Sequence, residues 1–280
     1  MRNFKRQLTL LIADDSGTAL DLSGFHVIFD IAKTAAEKPN EAKIQIYNLA
    51  STTATLLTDK EMPRIVLQAG YEDNYGVIFD GNIVKTELSR SGADTILTIT
   101  AGDGDKAYSY AIVNQSLASG YTQADMVKNT VSTMQSKGVR DSDIKAINTT
   151  TKYPRGRTMF GSARQYSRQM AKANSCQWSV QDGKVVFCKT DKPTDGTAFL
   201  LSPQSGLIGS PSKDKDGVTA KCCLNPQLKI YDPVQIQSFA INGVFKILTV
   251  KHSGDTHGNG WETEIKAVSL DQSTKTTTTK

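Results

Sequence analysis

The chain has 280 residues, enough for two modest domains, and its hydrophobic (38%) and charged (22%) shares are those of a soluble globular protein. No apolar run approaches the roughly 20 residues of a transmembrane helix, and the basic N-terminus turns acidic at Asp14, too early for a signal peptide. The net charge of +5 is a small excess of 33 basic over 28 acidic residues, without the dense basic surface that nucleic-acid binding needs. We therefore expect a soluble protein made in the cytoplasm, without a membrane span.

The first hundred residues have the pattern of β-strands joined by polar turns. Apolar side chains alternate from Phe25 to Ile31, which predicts a strand with one buried face. Ser51 is positioned to cap a short helix that ends near Asp59. β-branched residues and period-two alternation predict the other strands of this region, at 8–12, 42–49, 64–70, 77–86 and 94–101, with a polar connection at 33–41.

The pattern changes to helical after residue 103. Thr122 and Asp125 have the spacing of a capping box and predict a helix near 122–137, with Met126, Val127, Thr130, Val131 and Met134 facing inward. A second helix is predicted at 161–173, with Ala163, Tyr166, Met170 and Ala173 inward. Asp182-Gly183 is a hairpin turn signal, and it predicts paired strands over 176–189.

Residues 42–102 and 218–267 contain two similar strand patterns, which indicate an internal duplication. The match places Asn48-Leu49 opposite Asn225-Pro226, and it places the strand at 64–70 opposite residues 232–238. Two similar units in one chain favour a symmetric assembly. Residues 271–280 carry almost no apolar side chains and are expected to be disordered.

Cysteines occur at 176, 188, 222 and 223. The predicted hairpin pairs Cys176 with Lys189, so that Cys176 and Cys188 face opposite ways, and adjacent strand residues such as Cys222 and Cys223 also face opposite ways. No CxxC pair is present, so the sequence predicts four free thiols and no zinc site.

Three groups of polar residues are candidates for catalytic or metal sites. His252, Ser253 and Asp255 resemble a triad, but we expect them in one polar loop, without partners fixed by other elements. His252 with His257 lacks the further ligands of a metal site. Glu61, Glu72, Asp73 and Asp80 have no spacing that requires acid–base catalysis. The sequence predicts a protein that is not an enzyme and has no cofactor.

Ordered short motifs cover most of the chain, including residues 44–49, 67–71, 78–83, 102–105, 178–183 and 201–211. In their order and spacing the chain resembles the baseplate hub proteins of contractile-tailed phages, the family of the T4 hub and the P2 and Mu late tail proteins. The positions that carry the resemblance are treated as structural signature residues: Asn48, Leu49, Gly70, Gly81, Asp103, Gly104, Trp178, Asp182, Gly183, Leu207, Gly209, Leu224, Asn225, Pro226, Gly254, Asp255 and Trp261.

The resemblance implies a mainly β (α+β) fold with two tail-tube-like β-barrel domains. The expected boundaries are 1–103 for the first domain, 104–198 for an inserted α/β segment, 199–270 for the second domain and 271–280 for the tail. The implied protein is a virion component, a homotrimer that joins the sixfold tail tube protein to the threefold central spike protein. Other baseplate proteins and passing DNA would be further contacts, and no stretch is left for a lytic domain.

A noncontractile tail or a phage-like secretion device would use a similar part. The alternative from another functional class is a β-barrel binding module for carbohydrate or nucleic acid.

Overall fold

The computed structural model describes residues 5–14, 18–59, 62–148, 150–215 and 217–269. The expected disordered tail, residues 271–280, lies outside them. We call three consecutive segments of the chain the first module, the insert and the second module; their division into separate domains stays a prediction. The first module contains β1 (Arg6–Ala13), β2 (Ala19–Asp21), β3 (Val27–Thr34), β4 (Asn40–Tyr47), α1 (Ser51–Asp59), β5 (Arg64–Tyr71), β6 (Asn74–Ser91) and β7 (Asp94–Asp103).

The insert holds the other α-helices, and the second module is again built mainly from strands, with one 3-10 turn at Pro203–Ser205. The insert contains α2 (Asp105–Tyr110), β8 (Ile112–Leu117), α3 (Gln123–Gln135), β9 (Asp141–Asp143), β10 (Arg157–Ser162), α4 (Ala163–Ala173), β11 (Cys176–Gln181) and β12 (Lys184–Lys189). The second module contains β13 (Phe199–Leu201), β14 (Leu207–Asp214), β15 (Gly217–Cys223), β16 (Pro233–Gln237), β17 (Asn242–Asp255) and β18 (Trp261–Ser269). The prediction of a mainly β protein with few helices is confirmed.

Both modules contribute to one 13-stranded sheet, in the order β14-β15-β18-β17-β3-β4-β7-β6-β5-β1-β2, with β16 and β13 branching from β17. The two predicted closed barrels are not found among the described strands. The physical reason lies in β3 and β17. β3 pairs with β4 on one side and with β17 of the other module on the opposite side, so the edge that could have closed a barrel joins the modules instead.

The two modules share a strand order. The first reads β3-β4-β7-β6-β5 and the second reads β14-β15-β18-β17-β16, with antiparallel pairing throughout. The long strand of each module has a bulge at the same place, at Val84 in β6 and at Leu248 in β17. A common origin of the modules stays a prediction: these five strands match in order, but β1 pairs with β5 antiparallel whereas β13 pairs with β16 parallel.

Hydrogen bonds fix the equivalent positions. Asn48 N donates to Thr95 O and Leu224 N donates to Trp261 O, at the ends of equivalent strands. Asn48 therefore corresponds to Leu224, and Leu49 corresponds to Asn225. The predicted match of Asn48 to Asn225 was wrong by one residue, because the alternation of β-branched residues does not define the register of a strand.

Most of the predicted helix and hairpin features of the insert are confirmed. Thr122 and Asp125 form the capping box of α3, and the five predicted inward residues are buried. In α4, Ala163 and Met170 are buried as predicted, but Ala173 is exposed and Tyr166 only partly buried; Ser167 and Ala171 take the inward positions. The hairpin of β11 and β12 pairs Cys176 with Lys189 as predicted.

Each segment has its own apolar cluster. The cluster of the first module also includes Leu224 and Trp261 from the second module, whereas the insert packs around Trp178 and Met134. The second module packs around Tyr231 and Ile247. Two second-module side chains thus lie in the core of the first module, which makes the contact between modules part of a hydrophobic core.

Candidate functional site

Most of the signature residues converge at two places where segments of the chain meet. Seven lie where the first module meets the second, a region we call the module junction: Gly70, Leu224, Asn225, Pro226, Gly254, Asp255 and Trp261. Five lie where the first module meets the insert, which we call the insert junction: Asp103, Gly104, Trp178, Asp182 and Gly183. These twelve signature residues therefore lie at contacts between segments of the chain.

The turn between β5 and β6 forms the first half of the module junction. Asn74 Nδ2 donates to Asn225 Oδ1 at 3.0 Å, and Trp261 Nε1 donates to Gly70 O at 3.2 Å. Gly76 lies against the Pro226 ring. Tyr71 is buried here, and burial, followed by the nearby Cys223 thiol, raises its pKa to about 12. The turn of one module is thus held by polar and apolar contacts with the other.

Close packing across the sheet forms the second half. Gly254 pairs with Phe29 on β3 and with Trp261 on β18. A Cβ atom at Gly254 would overlap the Phe29 ring and come within 2.8 Å of Trp261 Cε3. The Phe29 and Trp261 rings meet edge to face with centroids 5.3 Å apart, a favourable aromatic geometry. The absence of a side chain at Gly254 therefore allows the two aromatic rings to meet.

Polar and charged side chains line the outer part of the same strand contact. Lys251 Nζ lies 2.9 Å from Asp30 Oδ2, and His26 Nε2 lies 2.8 Å from Asp255 Oδ1. Arg6 Cζ sits 5.5 Å from the centroid of the Trp261 ring. These groups are partly exposed, so each contributes little to stability, but together they favour the observed register.

A buried carboxylate is the centre of the insert junction. Asp103 Oδ2 accepts from Asp182 N at 2.5 Å, and Asp103 Oδ1 accepts from Gly183 N at 2.9 Å. Asn40 Nδ2 donates to Asp103 Oδ2 at 3.3 Å, and Lys33 Nζ pairs with Asp182 Oδ1 at 2.5 Å. Burial, followed by the neighbouring Asp182 carboxylate, raises the pKa of Asp103 to about 7. The last residue of β7 thus holds the turn of the β11–β12 hairpin.

Gly104 and Trp178 complete the insert junction. Gly104 has φ 73°, a left-handed conformation that favours glycine, and a Cβ atom there would lie 2.8 Å from Val180 Cγ1. Trp178 is fully buried, with the Tyr108 ring 5.3 Å away. The Tyr108 hydroxyl accepts from Val180 N at 2.9 Å. The strand that carries Trp178 is therefore fixed by both backbone and ring contacts.

The remaining signature residues lie away from the two junctions. Asn48 has φ 56°, and its amide donates to Asp94 and accepts from Thr95 N, so it shapes the end of β4, next to the buried Leu49. Gly81 lies on β6 where a Cβ atom would be 2.7 Å from Gly102 O. Leu207 begins β14, and Gly209 (φ 69°) lies in its irregular section.

The candidate catalytic residues named from the sequence are not brought together in the part of the chain that the structure describes. Residues 252–255 belong to β17 and not to the predicted loop, so His252 and Ser253 point to opposite faces. His252 is buried, with Nδ1 2.9 Å from Thr263 Oγ1. Asp80 is buried against Arg64 and Arg140, whereas Glu72 and Asp73 are exposed. Glu61 lies outside the described residues.

Metal-binding clusters, membrane-spanning helices and disulfides are also absent from the described residues. No group of three or more His, Cys, Asp or Glu side chains there has metal-binding geometry. None of the helices described is long and apolar enough to cross a membrane. The four cysteines are free thiols.

Sequence patterns missed several interface residues. Arg6 donates to Gly258 O and Asn259 O, and Arg140 joins the insert to Asp80 of the first module. Lys33 is buried beside Asp182. A lone basic residue in a polar stretch carries no signal of a distant partner, so the sequence could not have identified them.

Solved tail proteins share the fold. The 43 kDa tail protein of prophage MuSo2 from Shewanella oneidensis matches with TM-score 0.64 and 9% identity, over 96% of this chain and 98% of that one. A tail protein from Neisseria meningitidis MC58 matches with TM-score 0.66 and 10% identity, over 94% and 96%. The E. coli c3393 protein, a type VI secretion component similar to T4 tail proteins gp27 and gp5, matches with TM-score 0.54 and 9% identity, over 95% and 77%.

At 9–10% identity the solved structures show only the fold of this chain. Its family is inferred from a match of the sequence to a family model. No curated protein matches the chain. A sequence model of the family described as baseplate hub gp41 matches residues 9–260. The chain belongs to the baseplate hub gp41 family of phage tail proteins.

Proposed function

We propose that the chain is a non-enzymatic hub subunit that assembles as a homotrimer, in which six modules from three copies form a ring between the tail tube and the central spike. The observation that carries this proposal is the strand pairing of β17 with β3 between modules of one chain. The equivalent edges are the outer edge of the distal half of β6, on the side away from β7, and the outer edge of β14. Neither edge has a partner strand in the described chain.

The two free edges are the counterparts of edges already paired. Residues 85–91 of β6 follow the bulge at Val84, as residues 249–255 of β17 follow the bulge at Leu248. β14 occupies the place of β3 at the end of its module. A free, long sheet edge is a site for pairing with another chain. The edge of β6 in one copy is therefore complementary to the edge of β14 in the next.

Side-chain exposure agrees with an absent partner. His252 on β17 is covered by β3 and only 1% exposed, whereas the equivalent Leu88 on β6 is 51% exposed. Val84 is 57% exposed and Ile208, on β14, is 45% exposed. Val84, Leu88 and Ile208 thus expose large apolar surface at the two free edges, as the core of an interface would, and both edges would be covered by the same pairing.

The equivalent positions define the register of the contact between copies. Inside the chain, Ser253 pairs with Asp30. Ser89 takes the place of Ser253 and Ser212 takes the place of Asp30, so Ser89 of one copy would face Ser212 of the next. β6 meets β14, a head-to-tail contact that closes as a ring or continues as a filament. Three copies supply the six positions that match a sixfold tube.

Family membership supports the remaining partners. The proposed neighbours are the tail tube protein on one side of the ring and the spike protein on the other, with further baseplate proteins around them. DNA would touch the lumen only in passing, and the virion, assembled in the host cytoplasm, is the proposed location. The absence of a convergent nucleophile, acid or base in the described residues supports a non-enzymatic role.

Disulfide trapping tests the ring. In the S89C/S212C double variant, mild oxidation should produce a covalent trimer on a non-reducing gel, with dimers as intermediates. A bond inside one chain is not expected, because six strands separate β6 from β14 in the sheet. The single variants S89C and S212C should not give trimers, and the S89C/K213C pair should give a lower yield, since residue 213 points to the other face.

Two outcomes would contradict the proposal. One is a double variant that stays monomeric although both thiols react with maleimide in the folded protein. The other is a series of covalent oligomers on the gel that continues beyond three copies, with no excess of trimer, which would indicate a filament. A monomer that binds oligosaccharide or nucleic acid would favour the binding-module alternative.

A further inference from the structure

The turn between β16 and β17 presents a fully exposed aromatic side chain on a rigid support. Phe239 has a relative exposure of 106%, the largest among the exposed large hydrophobic residues described. The turn is held by Ser238 N donating to Ile241 O at 3.0 Å and by Ile241 N donating to Ser238 Oγ at 3.0 Å. Ser238 N also donates to Asn242 Oδ1 at 3.2 Å. Phe239 is therefore displayed in a defined direction, without an apolar neighbour to cover it.

The equivalent turn of the first module, between β5 and β6, has the opposite surroundings. Its tyrosine, Tyr71, is 6% exposed, because the turn lies against the end of β15 and the start of β18. Asn74 and Gly76 contact Asn225 and Pro226 there. The same structural element is thus buried by a neighbouring module in one half of the chain and bare in the other.

We infer that Phe239 is the anchor of the contact between copies, and that it packs on residues 47–50 of the next copy of this chain. This inference rests on the proposed ring. Within the chain the first-module turn packs on residues 223–226, and the strand register makes residues 47–50 their counterparts. The occupant of the Phe239 site is a second copy of the protein.

The proposed receiving surface suits an aromatic ring. Tyr47 is partly exposed and stacks on His26 with ring centroids 4.4 Å apart, and His26 lies 4.5 Å from the His257 ring. Cys223, the counterpart of Tyr47, packs against the same apolar cluster as Tyr71 at the module junction. A phenylalanine placed there would complete an aromatic group that spans two copies. Aromatic residues in central pockets carry much of the energy of protein interfaces.

A charge substitution with a matched control tests the anchor. F239D in the S89C/S212C background should lower the yield of covalent trimer at least about ten-fold, the effect of losing an interface anchor. F160D is the matched control, because Phe160 is also exposed (73%) but lies on the insert, away from both sheet edges. F160D should trap trimers as well as the parent does, and both variants should unfold in urea like the parent.

A photo-crosslink identifies the contact directly. With p-benzoylphenylalanine at position 239, irradiation should join that residue to the 47–50 segment of another copy, as read by peptide mass spectrometry. If the parent traps trimers but F239D traps them equally, or the crosslink maps elsewhere, the anchor is wrong and the ring stands. If the parent forms no trimer and residue 239 joins no other copy, both the ring and the anchor fail.

Discussion

The side-chain amide of Asn74 donates a hydrogen bond to the side-chain oxygen of Asn225, 151 residues further along the chain. Both residues are buried, and the same oxygen of Asn225 also accepts from Gln227 N at 2.9 Å. One side chain therefore orders the loop after β15 and connects it to the turn of the other module.

Replacing Asn225 should weaken the module junction. N225A leaves the buried Asn74 amide and the Gln227 N–H without an acceptor, and a loss of about 1–3 kcal/mol in the free energy of unfolding is expected. Urea denaturation monitored by circular dichroism measures it. The control N114A, at an exposed position of β8, should change the value by less than about 0.5 kcal/mol. Equal effects of the two substitutions would contradict the role given to Asn225.

Gly254 should tolerate no side chain. A methyl group there overlaps the Phe29 ring, and forcing atoms into a packed core costs about 1–3 kcal/mol, so G254A should lower the thermal midpoint or the soluble yield. G260A is the control, because a Cβ atom at Gly260 meets nothing within 4 Å. A G254A protein as stable as G260A would show that the two aromatic rings can separate freely.

Two buried groups should give opposite pH dependence. Asp103, with its pKa raised from 3.8 to about 7, holds a proton in the folded protein that the unfolded chain releases, so its contribution to stability falls between about pH 4 and 7. Burial lowers the pKa of His252 from 6.5 to about 3. The unfolded chain then binds a proton that the folded protein does not, so stability rises with pH across about 3 to 6.5.

Single substitutions should separate these two slopes. Between pH 4 and 6.5, D103N should make the free energy of unfolding rise more steeply with pH than in the parent protein, and H252N should make it fall. The slope is the readout, since both substitutions also alter hydrogen bonds and therefore absolute stability. Identical slopes in all three proteins would refute the assigned shifts.

The thiols should react according to burial. Burial raises the pKa of Cys222 to about 12, and Cys176 and Cys188 are also buried, whereas Cys223 is partly exposed. Iodoacetamide should modify Cys223 first in the folded protein. After unfolding without reductant, mass spectrometry should count four modified cysteines; a smaller number would reveal a disulfide and contradict the free thiols.

No hydrolase activity is expected on peptidoglycan or peptide substrates. The imidazole of His252 is buried and the carboxylate of Asp80 is bound by two arginines, so neither is available to a substrate. Turnover that disappears in H252A, D80A or E61A, but not in an exposed control such as D73A, would overturn the proposed non-enzymatic role.

Local structure followed from local sequence. The capping box of Thr122 and Asp125, the buried face of α3 and the Asp182-Gly183 turn each depend on residues a few positions apart. The sequence could therefore determine them, and it also determined the mainly β character through period-two alternation. The order of short motifs was enough to indicate the family, because that signal needs no knowledge of contacts.

The tertiary structure decided how the strands meet. The pairing of Asp255 with Ile28 joins residues more than two hundred positions apart, and nothing in the alternation of β3 indicates whether its second edge closes a barrel or joins another module. The same holds for the one-residue register that aligns Asn48 with Leu224. Several distant strands could satisfy the backbone hydrogen-bonding groups of the same edge. Only the folded chain shows which of them pairs with it.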